Sequence, residues 1–140
     1  MDYTLKITSW DKDKDALSLV RRKVFIEEQN VPEELEWDEY DKDCIHILVT
    51  DENNTPIATG RMKPDGHIGR MAVLKAYRRS GIGTQILQSL TDKARKLNLG
   101  SVYLHAQTVA LSFYEKQGFD VISDEFMDAG IPHKSMKLDL

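Results

Sequence analysis

The stretch Arg78-Arg79-Ser80-Gly81-Ile82-Gly83-Thr84 sets two cations and two glycines just ahead of a run with helical spacing. Those residue types in that order suit an anion. The first amides of a helix have no intrahelical acceptor, and the helix dipole adds positive potential there. Glycine lets backbone approach a ligand with no Cβ between them. A pyrophosphate could therefore rest on the amides of Arg79 to Thr84, with Arg78 and Arg79 adding screened side-chain charge. The plainer reading is a solvated turn with a helix cap. Two common phosphate motifs are missing. No G-x-x-x-x-G-K-[ST] segment occurs, and the dinucleotide pattern G-x-G-x-x-G meets Ile86 where its third glycine should stand.

Other residues could move protons. Tyr114 lies in Phe113-Tyr114-Glu115-Lys116-Gln117-Gly118-Phe119. By residue type alone, such a tyrosine packs on a sheet with its hydroxyl satisfied. His46, His105, Glu28, Asp38 and Asp41 could accept protons. His105 precedes Gln107 by two residues, so the two share a strand face. A lone histidine is more often a structural hydrogen-bonder, and His133 follows a proline in a loop. The four histidines have no metal spacing and Cys44 is far from any C-x-x-C, so no metal is expected. Residues 27–43 hold nine acidic residues and one lysine. Such a run is usually a solvated surface.

These groups need elements to position them. Tyr3, Leu5 and Ile7 alternate with polar residues as a half-buried strand. Residues 12–28 read as a helix with Leu17, Val20 and Val24 on one face. Ile45, Ile47 and Val49 mark a second strand, which turns His46 the other way. The turn cluster 51–56 leads to a strand over 57–63, and Pro64-Asp65-Gly66 turns the chain into a fourth over 67–74. Ile82, Ile86, Leu87, Leu90, Ala94 and Leu97 form one helical stripe, with Gly100 expected at its C-terminal cap. A fifth strand covers 101–106, a short helix about 108–117, and strands at 119–122 and 134–139 could close the sheet. The order β-α-β-β-β-α-β-α-β predicts a layered α/β fold with one locally parallel pair, 67–106, in a mixed sheet.

A chain of 140 residues, 41% hydrophobic and 30% charged, is expected to form a single domain over 1–140. Its net charge of −4 does not favour nucleic acid. No apolar run approaches a membrane span and no signal-peptide h-region is evident. One cysteine suits a reducing compartment, so a cytoplasmic protein is expected.

The strand ending in Met71-Ala72-Val73, the pattern [QR]-x-x-G-x-[GA] met by Arg78, Gly81 and Gly83, and the later Phe113–Phe119 element resemble the GNAT superfamily of acetyl-CoA-dependent N-acetyltransferases. That resemblance covers about 57–120. Residues 24–46, 104–107 and 128–136 extend it over nearly the whole chain, to a bacterial subgroup of small single-domain GNAT proteins with unsettled substrates.

The resemblance implies a mostly antiparallel sheet with splayed fourth and fifth strands and helices on both faces. It implies that the backbone of Met71, Ala72 and Val73 holds the pantetheine arm of acetyl-CoA, with an amide near Met71 polarising the thioester carbonyl. Arg78, Arg79, Ser80, Gly81, Ile82, Gly83 and Thr84 would hold the pyrophosphate. Gln107 stands where many members carry a cofactor-contacting asparagine. Tyr114 would protonate the departing thiolate. Some members have a glutamate base at the position of Val102, so the base here must be a water relay or another residue, with His46, His105, Glu28, Asp38 and Asp41 as candidates.

In this family the segment after the first helix lines the acceptor side. The acidic run would then attract a cationic small amine, polyamine or basic peptide, with Trp37 and Tyr40 packing on its alkyl part. Direct attack within a ternary complex is implied, since Cys44 has no base partner to make it an acyl carrier. The alternative is an acyl-CoA-binding regulatory or interaction domain without turnover. A homodimer rests on analogy alone.

Overall fold

The computed structural model describes residues 2–140. Strand β1 (Tyr3–Thr8) is followed by helix α1 (Trp10–Arg21), which Ser9 caps by accepting from the Lys12 amide. The helix expected over 12–28 changes pitch partway. From Arg22 to Glu28 it is a π-helix, ending where the Gln29 amide reaches back five residues to Val24 O at 3.0 Å. Leu17, Val20 and Val24 are all buried. Helix α2 (Glu33–Glu36) and a 3₁₀ turn (Glu39–Asp43) lead to β2 (Ile45–Asp51), β3 (Pro56–Met62) and β4 (His67–Val73). Then come α3 (Ile82–Lys96), β5 (Ser101–Gln107), α4 (Leu111–Lys116), β6 (Asp120–Val121), β7 (Phe126–Asp128) and β8 (Ile131–Asp139).

The strands form one sheet in the order β1-β2-β3-β4-β5-β8-β6, with β7 also paired to β8. Every pairing is antiparallel except β4–β5. The β7–β8 hairpin was not foreseen. Its two-residue turn, Ala129 and Gly130, has φ 52° and 77°, the double left-handed geometry of a tight hairpin. Alanine in that conformation gives little sequence signal.

Apolar side chains cover both faces. Ile47, Val49, Ile57, Ile68, Val102 and Leu104 pack beneath Ile82, Ile86, Leu87 and Leu90 of α3. On the opposite face, Trp10 and Leu17 pack on Leu48, while Val20 and Val24 pack on Ala72. Gly60 permits the close approach of α3, since a Cβ there would lie 2.7 Å from Ile86 Cγ2. Two expectations about the end of α3 are corrected. Leu97 is the C-cap residue and 47% exposed. Asn98 (φ 62°), not Gly100, takes the left-handed position. The Asn98 amide bonds Arg95 O and the Leu99 amide bonds Ala94 O, which together satisfy the last carbonyls.

The sheet feature that positions the site is a separation. Parallel pairing of β4 with β5 is confined to His67 with Tyr103 and Ile68 with Leu104. Beyond it the β3–β4 register shifts between Thr59 and Arg61, and Arg70 adopts φ 51°. Such a bulge bends a strand and re-aims its side chains. Strand β5 meanwhile pairs with β8 along its full length, Ser101 to Gln107. From Gly69 to Val73, β4 therefore has no strand on its β5 side.

Candidate active site

At the entrance of α3, Arg79 (φ 64°) and Gly81 (φ 86°) flank Ser80, whose hydroxyl is bonded to Tyr77 O. A Cβ on Gly81 would meet nothing within 4 Å, so conformation rather than space calls for glycine there. The first turn of α3 closes with the Gln85 amide on Gly81 O at 3.1 Å. The amides from Arg79 to Thr84 have no partner among the described residues. Alternating left-handed residues at a helix start make a concave, donor-lined cradle, and the dipole favours an anion in it. These donors fit the pyrophosphate of a CoA thioester.

The Arg78 side chain is occupied elsewhere. Its guanidinium grips Glu28 through two bonds of 2.7 and 2.6 Å, and its Nε donates to Val73 O at 2.9 Å. It ties the end of β4 to the π-helix. Arg78, expected at the phosphate, and Glu28, expected at the acceptor, are paired with each other in this staple. The exposed Arg79 guanidinium has no partner among the described residues.

Where β4 and β5 part lies a pocket of about 390 Å³. Met71, Gln107 and Tyr114 line it, and so do Gly69, Arg70, His67, His105 and His133. Among the described residues, the Tyr114 hydroxyl's hydrogen-bond partner is the Met71 sulfur, at 3.8 Å. Burial pushes this phenol up to about 12, so it keeps its proton at neutral pH. Phe113 and Phe119 meet its ring edge-on, with centroids 5.0 and 6.0 Å away. The Gln107 amide donates to Gln29 Oε1 at 2.9 Å, joining β5 to the end of the π-helix.

His67 was not singled out from the sequence. It stacks on Tyr103 at 4.6 Å and lies 4.8 Å from His105. Burial, with the His105 charge adding to it, pulls His67 down to about 4. Burial also lowers His105, which opens onto the pocket. Both imidazoles are therefore neutral at neutral pH. The signal for His67 was present as strand alternation, but only the β4–β5 register brings it beside Tyr103 and His105.

The remaining candidates lie apart from the pocket. His46 is buried near Trp10, with Nε2 2.9 Å from Asp41 O, and burial lowers its pKa. Asp41 accepts from Arg21 at 2.8 Å and from Arg61 at 2.6 Å. Asp38 takes both ends of the Arg61 fork at 2.8 and 2.7 Å. Burial works against the Asp38 charge, but the Arg61 bonds with the Arg61 and Arg70 charges outweigh it and hold its carboxyl at about 2. Glu36 is buried on Arg21 at 2.8 Å, and desolvation raises its pKa.

The inner carboxylates of the acidic run, Glu36, Asp38 and Asp41, thus face arginines. The aromatic residues differ as well. Trp37 lies under the Arg21 and Arg22 guanidinia, at 5.1 and 5.7 Å, and Tyr40 under Lys63 at 3.9 Å. A hint existed in the chain, because Arg21 falls four residues after Leu17 on the buried stripe of α1.

Comparison with known proteins agrees with this geometry. The "Acetyltransferase (GNAT) domain" family matches residues 11–140. The Bacillus subtilis (strain 168) protein named uncharacterized N-acetyltransferase YjcF is 43% identical over 130 residues, covering 90% of this chain and 91% of that one. An acyl-CoA N-acyltransferase from Pseudomonas aeruginosa superposes with a TM-score of 0.82 at 28% identity, over 97% of each chain. The acyl-homoserine lactone synthase BjaI, solved with SAM and isopentyl-CoA, superposes at 0.80 over 99% of this chain and 83% of its own. At 16% identity that likeness is one of fold. GNAT enzymes take an acyl-CoA donor and an amine acceptor, which favours an enzyme over a binding domain without turnover. With all but its first ten residues matched, this chain belongs to the GNAT acetyltransferases and is an acyltransferase.

Proposed function

We propose that the protein transfers an acetyl group from acetyl-CoA to a primary amine by direct attack in a ternary complex. The observation that carries this is the pocket opened by the parting of β4 from β5, with Met71 and Tyr114 among its walls and neutral imidazoles beside them. The amides of Arg79 to Thr84 would hold the pyrophosphate. The backbone of Met71, Ala72 and Val73 would hold the pantetheine, with an amide near Met71 polarising the carbonyl. Acetyl-CoA supplies a thioester carbonyl and a thiolate leaving group.

Of the proton acceptors expected from the sequence, His105 alone lines the pocket. It takes one proton from the ammonium of the acceptor, which frees the nitrogen to attack. As the C–N bond forms and the C–S bond breaks, Tyr114 protonates the sulfur. The second proton shed by the nitrogen restores the phenol. Each turnover yields one amide, one free thiol and one released proton. Val102 is 0% exposed in the core and Cys44 is buried with its thiol pKa raised by burial, so neither supports a different route.

The test pairs binding with turnover. Acetyl-CoA should raise the melting temperature. A panel of primary amines should then release free thiol, with acetylated product found by mass spectrometry. Absence of acetyl-CoA binding overturns the proposal. Binding without thiol release across the panel removes the amine acceptor from it.

A further inference from the structure

The three arginines of the buried cluster are not used alike. Arg21 and Arg61 are buried, and their carboxylate bonds measure 2.6 to 2.8 Å. Arg70 lines the pocket with 27% of its side chain exposed. All its hydrogen bonds come from Nη2 and all are long: 3.5 Å to Leu35 O, 3.3 Å to Glu36 O and 3.3 Å to Asp38 Oδ2. Its Nε is buried and 3.2 Å from Glu36 Oε2, yet the angle makes no hydrogen bond. Its Nη1 has no partner among the described residues. Of these three guanidinia, the one on the pocket wall has the most unspent donors.

Its backbone supports a specific placement. Arg70 sits at the β4 bulge in a left-handed conformation that non-glycine residues rarely adopt. Such outliers persist where surrounding structure enforces them, and they cluster at ligand sites. The carboxylates on the same pocket are Glu36, already held by Arg21, and Asp128 on the β7–β8 hairpin. Asp128 is exposed and has no partner among the described residues. The pocket wall thus offers one under-used guanidinium and one exposed carboxylate.

We propose that the acceptor is a small amine that also bears a carboxylate, and that Arg70 binds that carboxylate with its unspent N–H groups. This rests on the pocket being the acceptor site. Arginine's planar fork matches a carboxylate. A single guanidinium matches one negative charge better than a phosphate dianion. Asp128 faces the ammonium end of the acceptor. This departs from the cationic amine or polyamine that the acidic run suggested.

Two readouts on the full-length protein test the proposal. The first compares kcat/KM for an α- or ω-amino acid, its carboxamide and an aminoalkyl phosphate of equal length. The second uses ligand-observed NMR, with CoA present, to compare binding of the N-acetyl amino acid and its amide. The wild type should favour the acid over the amide by about tenfold to a hundredfold, the worth of one charge-assisted hydrogen-bond pair. Arg70→Gln should erase that preference by lowering kcat/KM for the acid far more than for the amide. Arg70→Lys should retain part of it.

Equal handling of acid and amide by the wild type overturns the proposal, as does preference for the phosphate. Equal loss on both ligands in a folded Arg70→Gln protein also overturns it, since that marks a purely structural arginine. If Arg70→Gln does not fold, the wild-type ratio and Arg70→Lys decide. If the N-acetyl acid binds in an Arg70-dependent way but no amine releases thiol, the transfer reading fails and this one stands. Thiol release without a carboxylate preference gives the reverse.

Discussion

The cluster beneath α1 and the gap between β4 and β5 handle polar groups in opposite ways. In the cluster, Arg21 and Arg61 meet Glu36, Asp38 and Asp41 in short bonds, and Arg70 is the third cation against the three carboxylates. In the gap and the cradle beside it, backbone amides, a phenol and two imidazoles stand with few partners or none. Paired charge holds segment 36–41 to the sheet. Unpaired donors and neutral acid–base groups leave capacity for a ligand. Rich charge in a sequence can therefore mark a scaffold, while chemistry collects where charge is sparse.

The largest test of this contrast lies in the cluster. Arg61→Ala leaves two carboxylates facing one fewer cation in a buried site, and it should lower stability by about 3–5 kcal/mol in urea unfolding. A loss under about 1 kcal/mol would show that water reaches the cluster, and the contrast would collapse. Next comes the gap. Tyr114→Phe should cut kcat about a hundredfold with little change in melting temperature. Unchanged kcat would remove the phenol from the chemistry.

Acid should separate the two regions in stages. His67 has a folded pKa of about 4 against an ordinary 6.5, so its neutral form is favoured by folding. Its contribution is whole above pH 6.5 and shrinks as pH falls from 6.5 toward 4. Asp38 has a folded pKa of about 2 against 3.8, so its contribution persists to about pH 4 and fades below that. Stability measured against pH should therefore fall in two legs. His67→Phe should shrink the upper leg, to which the lowered His46 and His105 also contribute, and leave the lower one intact.

The smallest effect is predicted at the cradle's side chains. Arg79→Ala should weaken acetyl-CoA binding by no more than about threefold at physiological salt, because an exposed charge is screened. A much larger loss would move the work from backbone to side chain and redraw the comparison.

Much of the framework was legible along the chain. The alternation at 45–49, the stripe from Ile82 to Ala94 and the glycines at 81 and 83 each report a local constraint, so they could be read without knowing neighbours. Tyr114, Gln107 and His105 were legible through motif and strand face, and all three line the pocket. The arrangement of the acidic run was not legible, because composition counts carboxylates but not their partners. Arg21, Arg61 and Arg70 lie on three different elements, and nothing local in 27–43 names them.

The sequence by itself determined most of the order of elements, the amides at the start of α3 and the family to which the chain belongs. These depend on spacing, backbone preference and burial period, which act over a few residues. Only the tertiary structure decided that Arg78 is held by Glu28, that His67 stands beside His105, and that Arg70 keeps free donors on the pocket wall. Each of those outcomes depends on which distant groups fill a charge's hydrogen bonds. That is settled by strand register and by the bulge in β4, where two elements meet.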